Sequence, residues 1–225
     1  MFLIAFTVIE ANSADPLMPL RLFHNRSLIA GMTITFLYMA TFGALPYFLT
    51  VLLQNVHGFT ALQTGLAFLV PSVAIATGTQ LGERLATRFS TRSTLVGGMI
   101  VGAVGTALMV SGATADSSYL ALVPGLIVSG VGQGIVWTAM WIAAASGVAH
   151  DQQGVASGMA STTLNVGNAI GMAVLIAIAN SQIGELSGNA LKIAVADGIQ
   201  VALWLAAAGI VVSLPAAMVL PAKAR

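Results

Sequence analysis

The side chains able to do chemistry inside this chain's apolar stretches are uncharged. Thr35, Tyr38 and Thr41 recur at i, i+3 and i+6. Gln133, Trp137 and Trp141 recur at i, i+4 and i+8, with Gly130 one turn before. Gly158, Ser161, Asn165, Asn168 and Met172 form a third series. Residues three or four apart lie close together on a helix, so each series reads as a stripe. Amides and hydroxyls could orient a solute while aromatic rings give it stacking area, as in a cavity for a partly apolar molecule. The candidate lining residues are therefore Tyr38, Thr41, Gln133, Trp137, Asn165 and Asn168. The same groups could instead bond helix to helix, for about 0.6 kcal/mol each in a membrane. Spacing alone admits both readings; Thr33 and Thr35 favour the second. Trp137 and Trp141 would also suit anchors at a membrane surface.

Catalysis has little to stand on. Gly154-Val155-Ala156-Ser157-Gly158 has the wrong spacing for a serine nucleophile elbow. His24, His57 and His150 fall in loops or turns, where solvated side chains are expected. No HExxH run, no paired aspartates within a span and no cysteine occur. Gly130-Val131-Gly132-Gln133-Gly134 lacks the preceding strand of a nucleotide loop. No catalytic residue, metal ligand or cofactor is expected, and the chain is read as a non-enzyme.

The elements that must position these stripes follow from composition. Of 225 residues, 57% are hydrophobic and only 7% charged, with a mean hydropathy of +0.94. A soluble domain carries about 25% charged residues, so the solvent here is a lipid bilayer. A net charge of +1 rules out a nucleic-acid footprint. From Ser27 to Gly82 there is no charged residue apart from a lone His57; further charge-free runs cover Ser93–Ala115, Ser117–Ala149, Gln152–Gly184 and Gly198–Ala222. A helix needs about 20 apolar residues to cross, and strict alternation for a barrel is missing. The first run holds two spans divided by the polar turn Gln54–Thr60. The expected spans are Ser27–Leu53, Ala61–Leu81, Ser93–Thr114, Tyr119–Ala145, Gly154–Ala179 and Gly198–Leu220, with a kink at Pro46. Glycine pairs at i, i+4 (Gly98/Gly102, Gly130/Gly134, Gly154/Gly158, Gly167/Gly171) would let these helices approach closely.

Charge sets the orientation. Arg21, Arg26, Arg84, Arg88, Arg92, Lys223 and Arg225 share one face, and only Lys192 lies on the other. The positive-inside rule makes the shared face cytoplasmic, with both termini inside. All seven acids fall in loops or at span ends, so no span carries the buried ionisable group a proton pump needs. Met1–Ile9 is apolar but too short to span. It reads either as a signal peptide or as the tail of a helix beginning outside this chain. The second fits better, because no basic segment precedes it and Glu10 follows directly.

Four segments carry a family resemblance. Asp15-Pro16-Leu17-Met18-Pro19-Leu20-Arg21-Leu22-Phe23-His24-Asn25-Arg26 resembles the segment joining the central helices to the C-terminal bundle in fourteen-helix drug:proton antiporters of the major facilitator superfamily. Thr60–Leu69 is similar to the start of their tenth helix. Arg84–Arg92 resembles their loop signature GxLADRxGxR, keeping Leu85, Ala86, Arg88 and Arg92. Gly154–Gly158 with Thr162, Thr163 and Asn165 resembles the opening of their thirteenth helix.

The resemblance implies an all-α membrane protein: the six-helix C-terminal bundle of the major facilitator fold, two inverted three-helix repeats. Residues 1–26 would be the end of a preceding central helix plus a cytoplasmic connector, and 27–225 the bundle. It further implies a cell-membrane transporter, or half of one, moving drugs or small solutes by alternating access, proton-coupled when complete. An N-terminal half would be the partner and would carry the coupling acids. The first, second, fourth and fifth helices would surround the cavity. The signature departs at Glu83, Thr87 and Ser90, where the family has Gly, Asp and Gly. Without that Asp the expected gating ion pair loses a member, and Arg84, Arg88 and Arg92 read first as topology determinants. Two alternatives stay open: a truncated or split-gene fragment, inert or regulatory, and a half-transporter that pairs with itself.

Overall fold

The computed structural model describes residues 22, 24–146, 148–181, 183–184 and 186–220. The expectations placed on Met1–Ile9, on Arg21 and on Lys223 and Arg225 lie outside these residues. Among the described residues the regular structure is helical throughout, without a strand. Six stretches are long and apolar enough to cross a membrane: Ser27–Val56, Ala61–Arg88, Thr91–Gly112, Tyr119–Ala145, His150–Ala179 and Gly188–Met218. We refer to these as spans one to six.

Local signals start the helices. The Asn25 side chain accepts from Ser27 N at 3.0 Å and Leu28 N at 3.2 Å, capping span one. At span two, Thr60 Oγ1 accepts from Gln63 N at 3.3 Å while Gln63 Oε1 accepts from Thr60 N at 2.9 Å, a reciprocal capping box. Gly58 has φ +74, so the chain reverses there at no side-chain cost.

Two span ends differ from expectation. Span two continues to Arg88 rather than stopping at Leu81, so Glu83, Arg84 and Leu85 lie on the helix. Exposed ionic side chains let a helix run past the hydrocarbon, and Arg88 in the last turn suits its negative pole. Span six begins at Gly188, which moves Lys192 and Asp197 from the expected loop onto the helix. His57 is not a free loop residue either. It is half-buried, with Nε2 3.0 Å from the Thr114 carbonyl oxygen, tying the first turn to the end of span three.

Span one is broken, and the break starts before its proline. An α-helix over Arg26–Thr41 gives way to a 3₁₀ turn at Phe42–Ala44, a short α-helix at Leu45–Val51 and a π turn at Leu52–Val56. Pro46 has no N–H to give the Phe42 carbonyl, which the Leu45 N–H takes instead. The change of facing expected at Pro46 thus occurs one turn earlier.

Packing follows the glycines. Span four lies between spans two and three, and span one lies against span five. A Cβ on Gly78 would strike the Val131 carbonyl, and one on Gly132 would strike the Gly102 backbone. Gly167 and Gly171 meet Phe36 and Ala40 in the same manner. The pairing of two with four is therefore mirrored by five with one, as two three-helix repeats require. Gly154 and Gly158 are an exception, with nothing within 4 Å of an added Cβ.

Candidate functional site

The stripes of spans one and four meet at midheight in the bundle. Tyr38 is 6% exposed, and the Gln133 side chain lies beside its hydroxyl. The Tyr38 ring lies 5.2 Å from Phe42 and 5.6 Å from Trp137, and Trp137 lies 5.9 Å edge-on from Trp141. Gln133 Nε2 also reaches the Phe42 carbonyl at 3.5 Å, at the point where the 3₁₀ turn has loosened the backbone. Trp137 is 37% exposed, so this aromatic wall opens onto the surface of the bundle. Its physics is uncharged: rings for stacking and one amide for direction.

Thr41 departs from this face. It is 8% exposed, its Oγ1 donates to Leu37 O at 2.7 Å, and its methyl group faces Gly209 on span six. Thr35 instead turns to span five, with Oγ1 3.4 Å from Ala160 O. A helix turns about 100° per residue, so i, i+3, i+6 drifts by about 120° in all. Three residues at that spacing fan out to three neighbours rather than sharing one.

The two asparagines also part company. Asn165 is exposed, and its Nδ2 donates to Ser161 O at 2.8 Å on its own helix. Asn168 turns toward span one at Gly43, and its buried Oδ1 has no hydrogen-bond partner. Span one's break is thus flanked by Gln133 from span four and Asn168 from span five.

The basic end carries no ion pair among the described residues. Thr87, standing where an acid was expected, donates to Glu83 O at 3.1 Å and Arg84 O at 2.9 Å. The Arg88 guanidinium lies 5.7 Å over the Phe89 ring. Leu85 is half-buried, and Ser90 caps span three by accepting from Ser93 N at 3.1 Å. Among the described residues no group of three or more His, Asp and Glu could hold a metal.

Polar spacing could not reveal the apolar surroundings. Phe42 completes the aromatic wall, and a cavity of about 230 Å³ lies beside Gln133, bounded by Leu45, Leu49, Phe68 and Pro71. The one sequence signal for it is a proline on each facing helix, Pro46 and Pro71, which narrows nothing without the fold.

Comparison with known proteins agrees with this architecture. The profile of the Major Facilitator Superfamily matches residues 8–172. The chain is 28% identical to the uncharacterized MFS-type transporter EfpA of Mycobacterium tuberculosis, over 93% of this chain and 42% of that protein. It is 33% identical to the cephamycin export protein CmcT of Amycolatopsis lactamdurans, over 80% of this chain and 37% of that protein. It is also 33% identical to the multidrug resistance protein Stp of M. tuberculosis, over 87% and 36% respectively. The chain spans about two fifths of the length of these relatives.

Proposed function

This chain belongs to the Major Facilitator Superfamily, and from that premise we propose that it is the C-terminal six-helix half of a solute exporter. It moves drugs or small organic molecules by alternating access, coupled to protons when joined to an N-terminal half. The observation that carries this reading is the uncharged aromatic and amide wall of Tyr38, Phe42, Gln133 and Trp137, set against a broken membrane helix. Broken helices are where transporters of this kind handle solutes. Relatives named for cephamycin export and multidrug resistance support the substrate class.

Two further features fit a half that needs a partner. Spans two and five have 22% and 28% of their apolar windows buried, against 50% for spans one and four. Their open faces are where a second bundle would rock. The seven-to-one division of basic residues supports a cell-membrane protein with both termini cytoplasmic. In this reading residues 1–26 are the end of a preceding central helix plus the connector, and 27–225 the bundle. The protein works as a carrier and not as an enzyme.

A chimera tests this. The N-terminal part of Stp is joined to this chain within the Asp15–Arg26 segment and reconstituted in vesicles. The expected result is dye efflux driven by a proton gradient and abolished by a protonophore. A chimera that inserts, remains folded and moves no solute would support the inert-fragment reading instead.

A further inference from the structure

The cavity beside Gln133 differs in kind from the aromatic wall: it is a half-open pocket whose lining is almost entirely apolar. Its walls come from the break in span one and from spans two, three and four, with nothing from span five. Met109 and Leu126, 3% and 4% exposed, close its inner end. Three polar side chains border it: Ser72, Ser129 and Gln133. Ser129 Oγ is already bonded to Thr106 Oγ at 3.1 Å, and Gln133 is turned onto Tyr38 and Phe42. A charged group placed here would have no counter-ion among the lining residues and would be disfavoured in a low-dielectric surround. An alkyl or unsubstituted aryl group would meet mainly apolar side chains, Leu45, Leu49, Phe68, Pro71 and Ile75 among them.

Size narrows the occupant further. Sites for whole drug-sized ligands run from about 300 to 1,000 Å³. At about 230 Å³ this cavity holds one part of such a molecule. Gln133 borders it and also lies beside the Tyr38 hydroxyl of the aromatic wall, so the two regions are continuous through one side chain.

We propose that this cavity is a subsite for the apolar, uncharged end of the solute, whose aromatic or polar remainder lies along Tyr38 and Trp137. That the occupant is a transported solute rests on the exporter reading; that the cavity binds such a group does not. Binding, rather than transport, is therefore the test.

The probe is a series of 4-alkylphenols from ethyl to octyl, competing with Nile red on this chain in phosphatidylcholine nanodiscs at one lipid-to-protein ratio. Ser72 borders the cavity, is exposed and has no side-chain hydrogen bond, so Ser72→Phe fills space without breaking a contact. The expected result is unchanged binding of the ethyl member and about tenfold weaker binding of the longest, since an overfilled site loses on the order of that factor. Ser72→Ala should match the parent. Leu49→Ala, which enlarges the cavity, should shift the preference to longer chains. A uniform loss across the series, or none, overturns the proposal. So does native mass spectrometry showing that Ser72→Phe releases a bound phospholipid while probe binding stays the same.

Discussion

Gln133 shows how one amide can serve packing and recognition together. Its bond to the Phe42 carbonyl and its place beside the Tyr38 hydroxyl hold span four to span one, while the same side chain borders the cavity. Such a bond is worth about 0.6 kcal/mol in a membrane, so losing it costs under about 1 kcal/mol. A bundle this extensively packed should survive that. Gln133→Ala is therefore expected to accumulate normally in the full-length protein while its substrate profile changes in a drug-resistance panel. If it fails to accumulate, the amide is packing alone. Thr35→Val is the contrast: the hydroxyl is fully buried against span five, so the profile should stay fixed. Asn168 is the opposite case, holding an unpartnered buried oxygen beside Gly43. An unsatisfied buried acceptor costs about 1–3 kcal/mol. Asn168→Ala should raise the thermal midpoint of the bundle yet weaken solute binding, whereas a drop in the midpoint would show that the oxygen has a structural partner. The residue types were legible in the sequence because polar groups stand out in apolar runs. Their directions were less so, since the drift that carries Thr41 to Gly209 is hidden in the spacing.

Element ends and element contacts obey different rules. Where spans exist was legible from apolar length, because only a helix or a closed barrel satisfies its backbone in hydrocarbon and the alternation of a barrel is missing. Where they stop was not. Spans two and six overrun the apolar runs by carrying Glu83 to Arg88 and Lys192 to Asp197 on exposed helical turns. Glycine spacing likewise marked candidate grooves without saying which are occupied. Gly132 has the Gly102 backbone against it, whereas Gly158 faces open space. Gly132→Leu must push spans three and four apart, and overpacking of that kind costs about 1–3 kcal/mol or more. It should sharply reduce the amount of folded protein recovered in detergent, while Gly158→Leu should leave recovery and thermal midpoint unchanged. Equal losses from both would show that span five has a neighbour at Gly158 within the bundle.

At the scale of the whole molecule, topology and transport separate. The orientation we propose puts seven of the eight basic residues on the cytoplasmic side, so a cysteine at Lys192 should react with an impermeant thiol reagent on intact cells, and one at Arg88 should not. The reverse pattern would invert the bundle. Insertion of this kind needs only apolar spans and basic loops, and residues 1–225 expressed alone should achieve it. Uphill export asks for more: a second bundle to rock against, and an ionisable group that takes and releases a proton within the membrane. The midheight wall of Tyr38, Phe42, Gln133 and Trp137 has neither a carboxylate nor a basic group among its members. Self-pairing would supply a second bundle and still add no buried acid among the described residues, because the pair inherits only what each copy holds. Vesicles containing residues 1–225 alone should therefore show no proton-driven dye efflux above empty vesicles, while the Stp chimera should. Gradient-dependent efflux from the short chain would place coupling on a group outside the wall. His57, half-buried between the first turn and Thr114, would then be the first to replace, and His57→Gln should abolish that efflux.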